Sequence, residues 1–470
     1  MAIAATGALM PLNYIEETTV GTTPTTGTVK KINCSAETFE ASKPRNVSAD
    51  ISENRKKKAL ISGLRRLSGG FNAELGKGYE DFFRSLLRRK VYTTATFSDT
   101  VSVATATGDI TAEITFSGAV SISCMIAGGP IKLSGFTDTD LNDIFYVVSA
   151  SGATGKAVIG RLNSEQDLSG ISEAGTAATI TQTYIEGAGR NPVSFTVEKV
   201  NTQIGADNGV IRLAGEQVAS CSFGFAPGDA PSLGFDFMGE SKSLANDGLL
   251  GPHDWVADGI TAAAATSIAI KSGTTNPAAG DIVYFADDTT KTGYTVTGYT
   301  TGQLVISPAL AEATTDGGKL YFSRPATDPG NDQKMENNLG RVVIDGAVFC
   351  LSAADMTISN NLAQVDCIGS VDADQLIAGD ETITGTISAN YSDAVQSSLV
   401  DKVIASKSFS MSLFASDVDG NVFCLQFPRL EGDEELIKRA DNMALIQNIP
   451  VKALEDGTTG ASCYIHVLSA

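Results

Sequence analysis

"GGFNAELGKGYEDFFRSLLRRK", residues 69 to 90, decides how the fold is read. Its first seven residues alternate as a strand does. From 78 to 90, Tyr79, Phe82, Phe83, Leu86 and Leu87 recur at i, i+3, i+4, i+7 and i+8, which places them on one face of a helix. Glu80 and Asp81 stand in the first turn and Arg88, Arg89 and Lys90 in the last, as the helix dipole favours. The same order returns far downstream. "TGTISANY" (384–391) alternates, and "SDAVQSSLVDKVIASK" (392–407) follows with Val395, Leu399, Val403 and Ile404 on one helical face and Ser392 as N-cap. Both apolar stripes read as faces packed on a core.

Working outward, "INCSAETFEAS" (32–42) is echoed by "FCLSAADMTIS" (349–359), and "PVSFTVEK" (192–199) by "SFSMSLFA" (408–415). Aligning Gly70 with Gly385 and Cys34 with Cys350 gives offsets of 315 and 316. Two copies of one β-β-helix-β-β unit follow. Two helix-poor stretches rich in Thr, Ala and Gly interrupt them, and their strands rhyme: "GGPIKLSGF", "DIFYVVSASG" and "KAVIGRL" in one, "GDIVYFADD", "GYTVTGY" and "GQLVISPAL" in the other. The expected organisation is a first unit of 1–94 with 188–251, an inserted β domain at 95–187, a second at 252–326, and a second unit at 327–470. Each insert reads as a small β-barrel or sandwich outside the core. The fold class is mainly β, and 470 residues suit several domains.

No run reaches the eighteen or so apolar residues of a membrane span. The start, "MAIAATGALMPLNYIEE", lacks the basic region of a signal peptide. Seven scattered cysteines (34, 124, 221, 350, 367, 424, 463), with no CxxC pair, read as reduced, buried thiols, and cytoplasmic synthesis follows. Only two histidines, His253 and His466, are present, so a His-based triad or metal centre has few candidates. "GAGRNP" near 187 opens no helix and is no dinucleotide fingerprint, and no phosphate-binding GxxxxGK[ST] occurs. Asp417 and Asp419 in "SDVDGNVF" are spaced as in calcium loops, but the remaining ligands are missing, and a turn at Asp419-Gly420 is the better reading. "DTDLND" (138–143) is likewise a polar loop. Nothing points to a cofactor, a metal or an enzyme.

The chain resembles the tail tube proteins of long-tailed, non-contractile bacteriophages, within the wider tube fold shared with type VI secretion tubes. The resemblance rests on "LNYIEETTVGTTP" (12–24), the series 47–90, "PVSFTVEK" (192–199), "DNGVIRLAGEQVASCSFGF" (207–225) and the second-copy series 346–391, about half the chain. It implies tube-type β-sandwich or barrel domains, each with one flanking helix, whose sheets join those of neighbouring copies around a channel. Minimal members form rings of six, so a duplicated chain is expected as a trimer ring with pseudo-six-fold symmetry. The implied partners are other copies of the chain, the tape-measure protein, the tail-tip and tail-terminator proteins, and DNA in transient, non-specific passage. The implied place is the virion tail, assembled in the bacterial cytoplasm.

The charge is uneven. The net charge is -20, yet residues 43 to 90 hold thirteen Lys or Arg against five Asp or Glu, an excess of +8 that leaves -28 for the rest. Arg55, Lys56, Lys57, Lys58, Arg65 and Arg66 form a basic arm with three readings. A DNA grip conflicts with a genome that must slide, because each phosphate contact adds affinity. A solvated hairpin is the plain alternative. The resemblance implies a hairpin reaching the next ring, where Glu431, Asp433, Glu434 and Glu435 are candidate partners. Glu74, Glu198 and Glu216 alternate with apolar neighbours and are candidates for a channel lining that repels phosphate, or for solvent-facing positions. The competing function is a bacterial surface adhesin of β-sandwiches, against which the intervening helices and the missing secretion signal count.

Overall fold

The computed structural model describes residues 11–47, 60–105, 111–116, 125–151, 155–162, 168, 171–200, 210–245, 247–288, 293–329, 334–336, 341–390, 399–433 and 446–469. The protein is mainly β. In the first half, one sheet joins Leu12–Glu16, Phe195–Val200, the near part of Val210–Phe225, and Ser241–Ala245. A second sheet joins the short strands Ala36–Glu37 and Glu40–Ser42 to Arg66–Glu74, then Ser232–Gly239, then the far part of Val210–Phe225.

The second half repeats this. Val342–Ile344, Phe409–Ser416, the near part of Val422–Gly432 and Tyr464–Leu468 make one sheet. Ala353–Ser359, Thr382–Asn390, Ile446–Ala453 and the end of Val422–Gly432 make the other.

The registers coincide at constant spacing. The pair Phe195↔Glu216 returns 214 positions on as Phe409↔Leu430, Val197↔Leu213 as Met411↔Phe427, and Gln217↔Met238 as Glu431↔Lys452. Both halves carry the same bulge, between Phe195 and Val197 and between Phe409 and Met411, where the long strand turns from one sheet into the other.

Met238↔Ser68 answers to Lys452↔Thr384, which equates Gly69 with Gly385 and corrects the alignment of Gly70 with Gly385 by one residue. The reason is a close approach of backbone. A Cβ on Gly69 would lie 2.2 Å from the Thr38 carbonyl oxygen, and one on Gly385 would lie 2.3 Å from that of Asp355, the equivalent of Thr38.

The helix is Glu80–Leu86, shorter than 78–90. It stops because Arg88 adopts φ 52° and the carbonyls of Leu87 and Arg88 accept hydrogen bonds from Gly189 N (3.1 Å) and Asn191 N (3.1 Å). Arg88, Arg89 and Lys90 therefore lie beyond its last turn. Phe82, Phe83, Leu86 and Leu87 are buried as the stripe requires. Phe82 packs at 5.2 to 5.7 Å on Phe71, Phe195, Phe235 and Phe237, and Phe83 reaches Phe423 of the second half at 5.5 Å. One core thus spans both halves. Burying such a ring contributes about 1.5–3 kcal/mol relative to exposure.

In the second half the described helix is Asp401–Ile404. Leu399 and Val403 are buried, Ile404 is exposed because the helix ends there, and Val395 lies outside the described residues.

The two interrupting stretches hold closed barrels with cores of their own. Around the first run Thr93–Thr105, Thr111–Phe116, Lys156–Arg161, Ile144–Ser151, Pro130–Ser134 and Glu173–Glu186, which pairs back to Thr93–Thr105. Around the second run Val256–Ala257, Ser267–Lys271, Gln303–Ser307, Tyr294–Thr300, Ile282–Phe285 and Leu320–Ser323, closed by the bridge Val256↔Lys319. In both, the chain-order neighbours around the ring are first, second, fifth, fourth, third and sixth. The first barrel's last strand also pairs with Tyr464–Leu468, joining it to the second half.

Candidate assembly interface

The two halves meet along a seam of backbone pairing. Ser220 to Phe225 run antiparallel to Ala354–Ser359, with Phe223 opposite Met356. The second sheets of both halves thereby become one continuous antiparallel sheet from Ala36–Ser42 to the end of Val422–Gly432. Its inner face is core: Phe71, Phe223, Phe235, Met356, Ile387 and Ile449 are buried. Its outer face is polar and exposed at Asn72, Glu74, Ser222, Asp236, Asp355, Thr357, Thr384 and Asn448. That alternation is what one-sided burial imposes on a strand.

The candidate lining acids separate on this geometry. Glu74 is on the exposed face. Glu198 and Glu216 are 1% and 0% exposed, on strands covered on both sides, so they face no open surface of this chain. Alternation with apolar neighbours signals two faces but not that one is wet. Glu198 is held by Arg212 (3.3 Å) and accepts from Leu249 N (2.8 Å), yet burial still pushes its carboxyl up. Among the described residues, neither oxygen of Glu216 has a hydrogen-bond partner. Burial and the neighbouring Glu17 push Glu216 up to about 8 and Glu240 up to about 7. Glu17 itself accepts from Ser194 Oγ (2.7 Å), Thr196 Oγ1 (2.7 Å), Gly215 N (2.9 Å) and Gly21 N (2.8 Å).

Arg55, Lys56, Lys57 and Lys58 lie outside the described residues. The strands that flank them in the chain, Arg45–Val47 and Leu60–Ser62, pair antiparallel. Arg66 donates to both oxygens of Asp366 at 2.6 Å, and Arg65 lies 3.3 Å from Asp372 while its N donates to Val371 O (2.8 Å). These acids belong to a second hairpin, Leu362–Val365 with Gln375–Ala378, which the sequence reading missed. The alternating "NLAQV" and "QLIA" around a Gly-Ser turn were its signal.

Of the candidate acidic partners, Glu431 pairs with Arg429 (2.7 Å) and Asp433 with Lys452 (3.5 Å), while Glu434 and Glu435 lie outside the described residues. Asp417 caps its own turn, accepting from Asp419 N (3.0 Å) and Asn421 N (2.8 Å). His466 is buried beside Gln426 Oε1 (2.8 Å), and burial takes it down to about 3. Cys221, Cys424 and Cys463 are buried, whereas Cys34, Cys350 and Cys367 are exposed: the first two flank outer strands and the third sits on the second hairpin.

A family model described as phage tail tube protein matches residues 7–319, two thirds of the chain. The chain belongs to that family. As a tail tube protein it is a structural subunit of the virion tail that assembles with itself into a tube. The match spans the first half and most of the second barrel, and the register equivalence carries the same architecture on to residue 468. No curated protein matches this tail tube protein. Among the described residues, no helix is long and apolar enough to cross a membrane.

Proposed function

We propose that three chains close into one pseudo-six-fold ring, and that such rings stack into a hollow tube through which viral DNA passes. The observation that carries this is the continuous sheet: each half supplies an equivalent run of strands, and the run ends at Ala36–Ser42 with no strand on its outer side among the described residues. An unpaired edge is a template for another chain, and ring closure removes it. The division into tube units 1–94 with 188–251 and 327–470, and inserts 95–187 and 252–326, fits this scheme. Each barrel pairs its strands mainly with one another, the first lending only Tyr184–Glu186 to the second half of its own chain, so the inserts decorate the ring and do not build it.

The hydroxyl-rich outer face with Glu74, Asp236 and Asp355 supports a channel lining that repels phosphate and leaves DNA mobile. The basic arm of Arg55, Lys56, Lys57 and Lys58 is assigned to contact between stacked rings. The tape-measure, tail-tip and tail-terminator proteins are the partners that start and stop stacking, and assembly takes place in the host cytoplasm. Cryo-electron microscopy of the purified chain, dilute and concentrated, tests the reading. Rings or tubes of three chains around a pseudo-six-fold channel are expected, and elongated monomers that never close, even with tail-tip components, would overturn it.

A further inference from the structure

A cleft of about 540 Å³ lies where the first tube unit meets the second barrel, lined by the 23–27 loop, by Arg212 on Val210–Phe225, by the link 249–253 and by Thr274, Thr275 and Arg324. Its volume is that of a small-molecule site, about 300 to 1,000 Å³. Among the described residues no Asp or Glu lines it, in a chain of net charge -20, while Arg212, His253 and Arg324 all do. Each of these cations has its carboxylate behind it. Arg212 faces Glu198, His253 faces Asp247 and Arg324 faces Asp281, with side-chain exposures of 16% against 1%, 39% against 13% and 32% against 2%. In every pair the positive member is the one nearer solvent.

The same pairs fix the cationic heads and leave donors over. Arg324 gives Nε and Nη2 to Asp281 (2.9 and 3.0 Å), and Arg212 gives Nε to Glu198 (3.3 Å) and Nη2 to Asp247 O. Among the described residues neither Nη1 makes a hydrogen bond, and the hydroxyls of Thr26, Thr274 and Thr275 are likewise unspent. Leu250 (φ 55°) in the wall, Asp254 (φ 60°) next to His253 and Ser272 (φ 66°) before Thr274 are non-glycine residues in left-handed backbone, which persists only where the surroundings hold it. The tube architecture does not require this arrangement, because the second half carries Gln426 at the position of Arg212 and engages it with the first barrel.

We propose that the cleft binds a phosphate group, free or carried on a sugar. A guanidinium donates in a planar fork that suits phosphate oxygens, and carboxylates that already hold the forks reduce the cost of ordering them. The spare Nη1 donors of Arg212 and Arg324 take the phosphate oxygens, and His253 adds a third charge when protonated. The threonine hydroxyls suit the remaining phosphate oxygens or the hydroxyls of a sugar. Arg212 belongs to the tube unit and Arg324 follows the last strand of the second barrel, so the bound anion ties the two together. Arg212 pairs within the sheet of Leu12–Glu16 and Phe195–Val200, not the sheet whose polar face is assigned to the channel, and the inference is independent of the ring reading.

Isothermal titration of the full-length chain with sodium phosphate, glucose 6-phosphate and glucose, at constant ionic strength in chloride, tests it. Phosphate and glucose 6-phosphate should each bind saturably at one site per chain and raise the melting temperature above that in chloride alone, and glucose should do neither. Equal affinities assign the site to free phosphate, and tighter glucose 6-phosphate assigns it to the sugar-borne group. R324K keeps a cation beside Asp281 but loses the spare Nη1, and it should weaken binding about tenfold. T274V/T275V leaves every charge in place and should weaken binding severalfold without lowering the melting temperature of the ligand-free chain. A wild type that binds neither phosphate compound, or binding that R324K and T274V/T275V both leave unchanged, overturns the proposal.

Discussion

The two tube halves have one set of backbone pairings and two different interiors. At the bulge the first half buries Glu216 where the second buries Leu430, and the cross-strand pair Glu198↔Arg212 is replaced by Ser412↔Gln426. Gln426 in turn serves the docked first barrel, donating to Ala127 O (2.5 Å) and lying against His466. Pairing register therefore survived duplication while the side chains diverged, because a one-residue slip would turn every residue to the wrong face but one substitution disturbs a single site. At these two positions the first half keeps buried acids, Glu216 and Glu198, where the second half holds Leu430 and Ser412.

The comparison breaks most easily at the shared core. Phe83→Ala removes the ring that touches Phe223, Phe235 and Phe423, and it should cost about 4 kcal/mol. Because the core is continuous, both halves should melt together in calorimetry; separate transitions for the halves would contradict a single core. Next come the equivalent glycines. Gly69→Ala and Gly385→Ala should each cost about 3 kcal/mol in chemical denaturation, since a methyl there meets the neighbouring backbone. Thr386→Ala, at the position equivalent to Gly70, should stay within about 0.5 kcal/mol, and a larger loss there than at Gly385 would restore the displaced alignment.

The buried acid sharpens the comparison. The folded Glu216 carboxyl titrates near 8, above its ordinary unfolded value of 4.5, so the folded state binds the proton more tightly. The contribution of Glu216 to stability is then greatest below about 4.5 and falls by up to about 1.4 kcal/mol per pH unit until about 8. Glu216→Gln should flatten that slope and stabilise the protein at pH 7 by on the order of 2 kcal/mol; thermal melts from pH 5 to pH 8 that run parallel for the two proteins would refute it. The smallest effect belongs to the hairpin roots. Arg66→Ala, which removes an exposed pair with Asp366, should change stability detectably at low salt only, as a double-mutant cycle with Asp366→Ala would measure.

Much of this was legible along the chain. The stripe of Phe82, Phe83, Leu86 and Leu87 named a helix and its buried face, and the echo of 32–42 in 349–359 exposed the duplication. The rhyme between the inserts preceded two barrels of identical strand order. The channel acids were not legible: Glu74, Glu198 and Glu216 have similar local patterns, and only the first lies on a one-sided sheet. The second hairpin was passed over because its strands are short and its partner for Arg65 and Arg66 lies 300 residues away.

What the sequence determined by itself is whatever repeats within a few residues: strand alternation, the helical stripe, turn residues and the order of elements, and with them the family. Tertiary structure alone decided the one-residue register that equates Gly69 with Gly385, which face of each strand is dry, and where the sheet is left open. Those depend on hydrogen bonds between segments far apart in the chain. A period of two says that a strand has two faces, but only its neighbours in space determine what covers each.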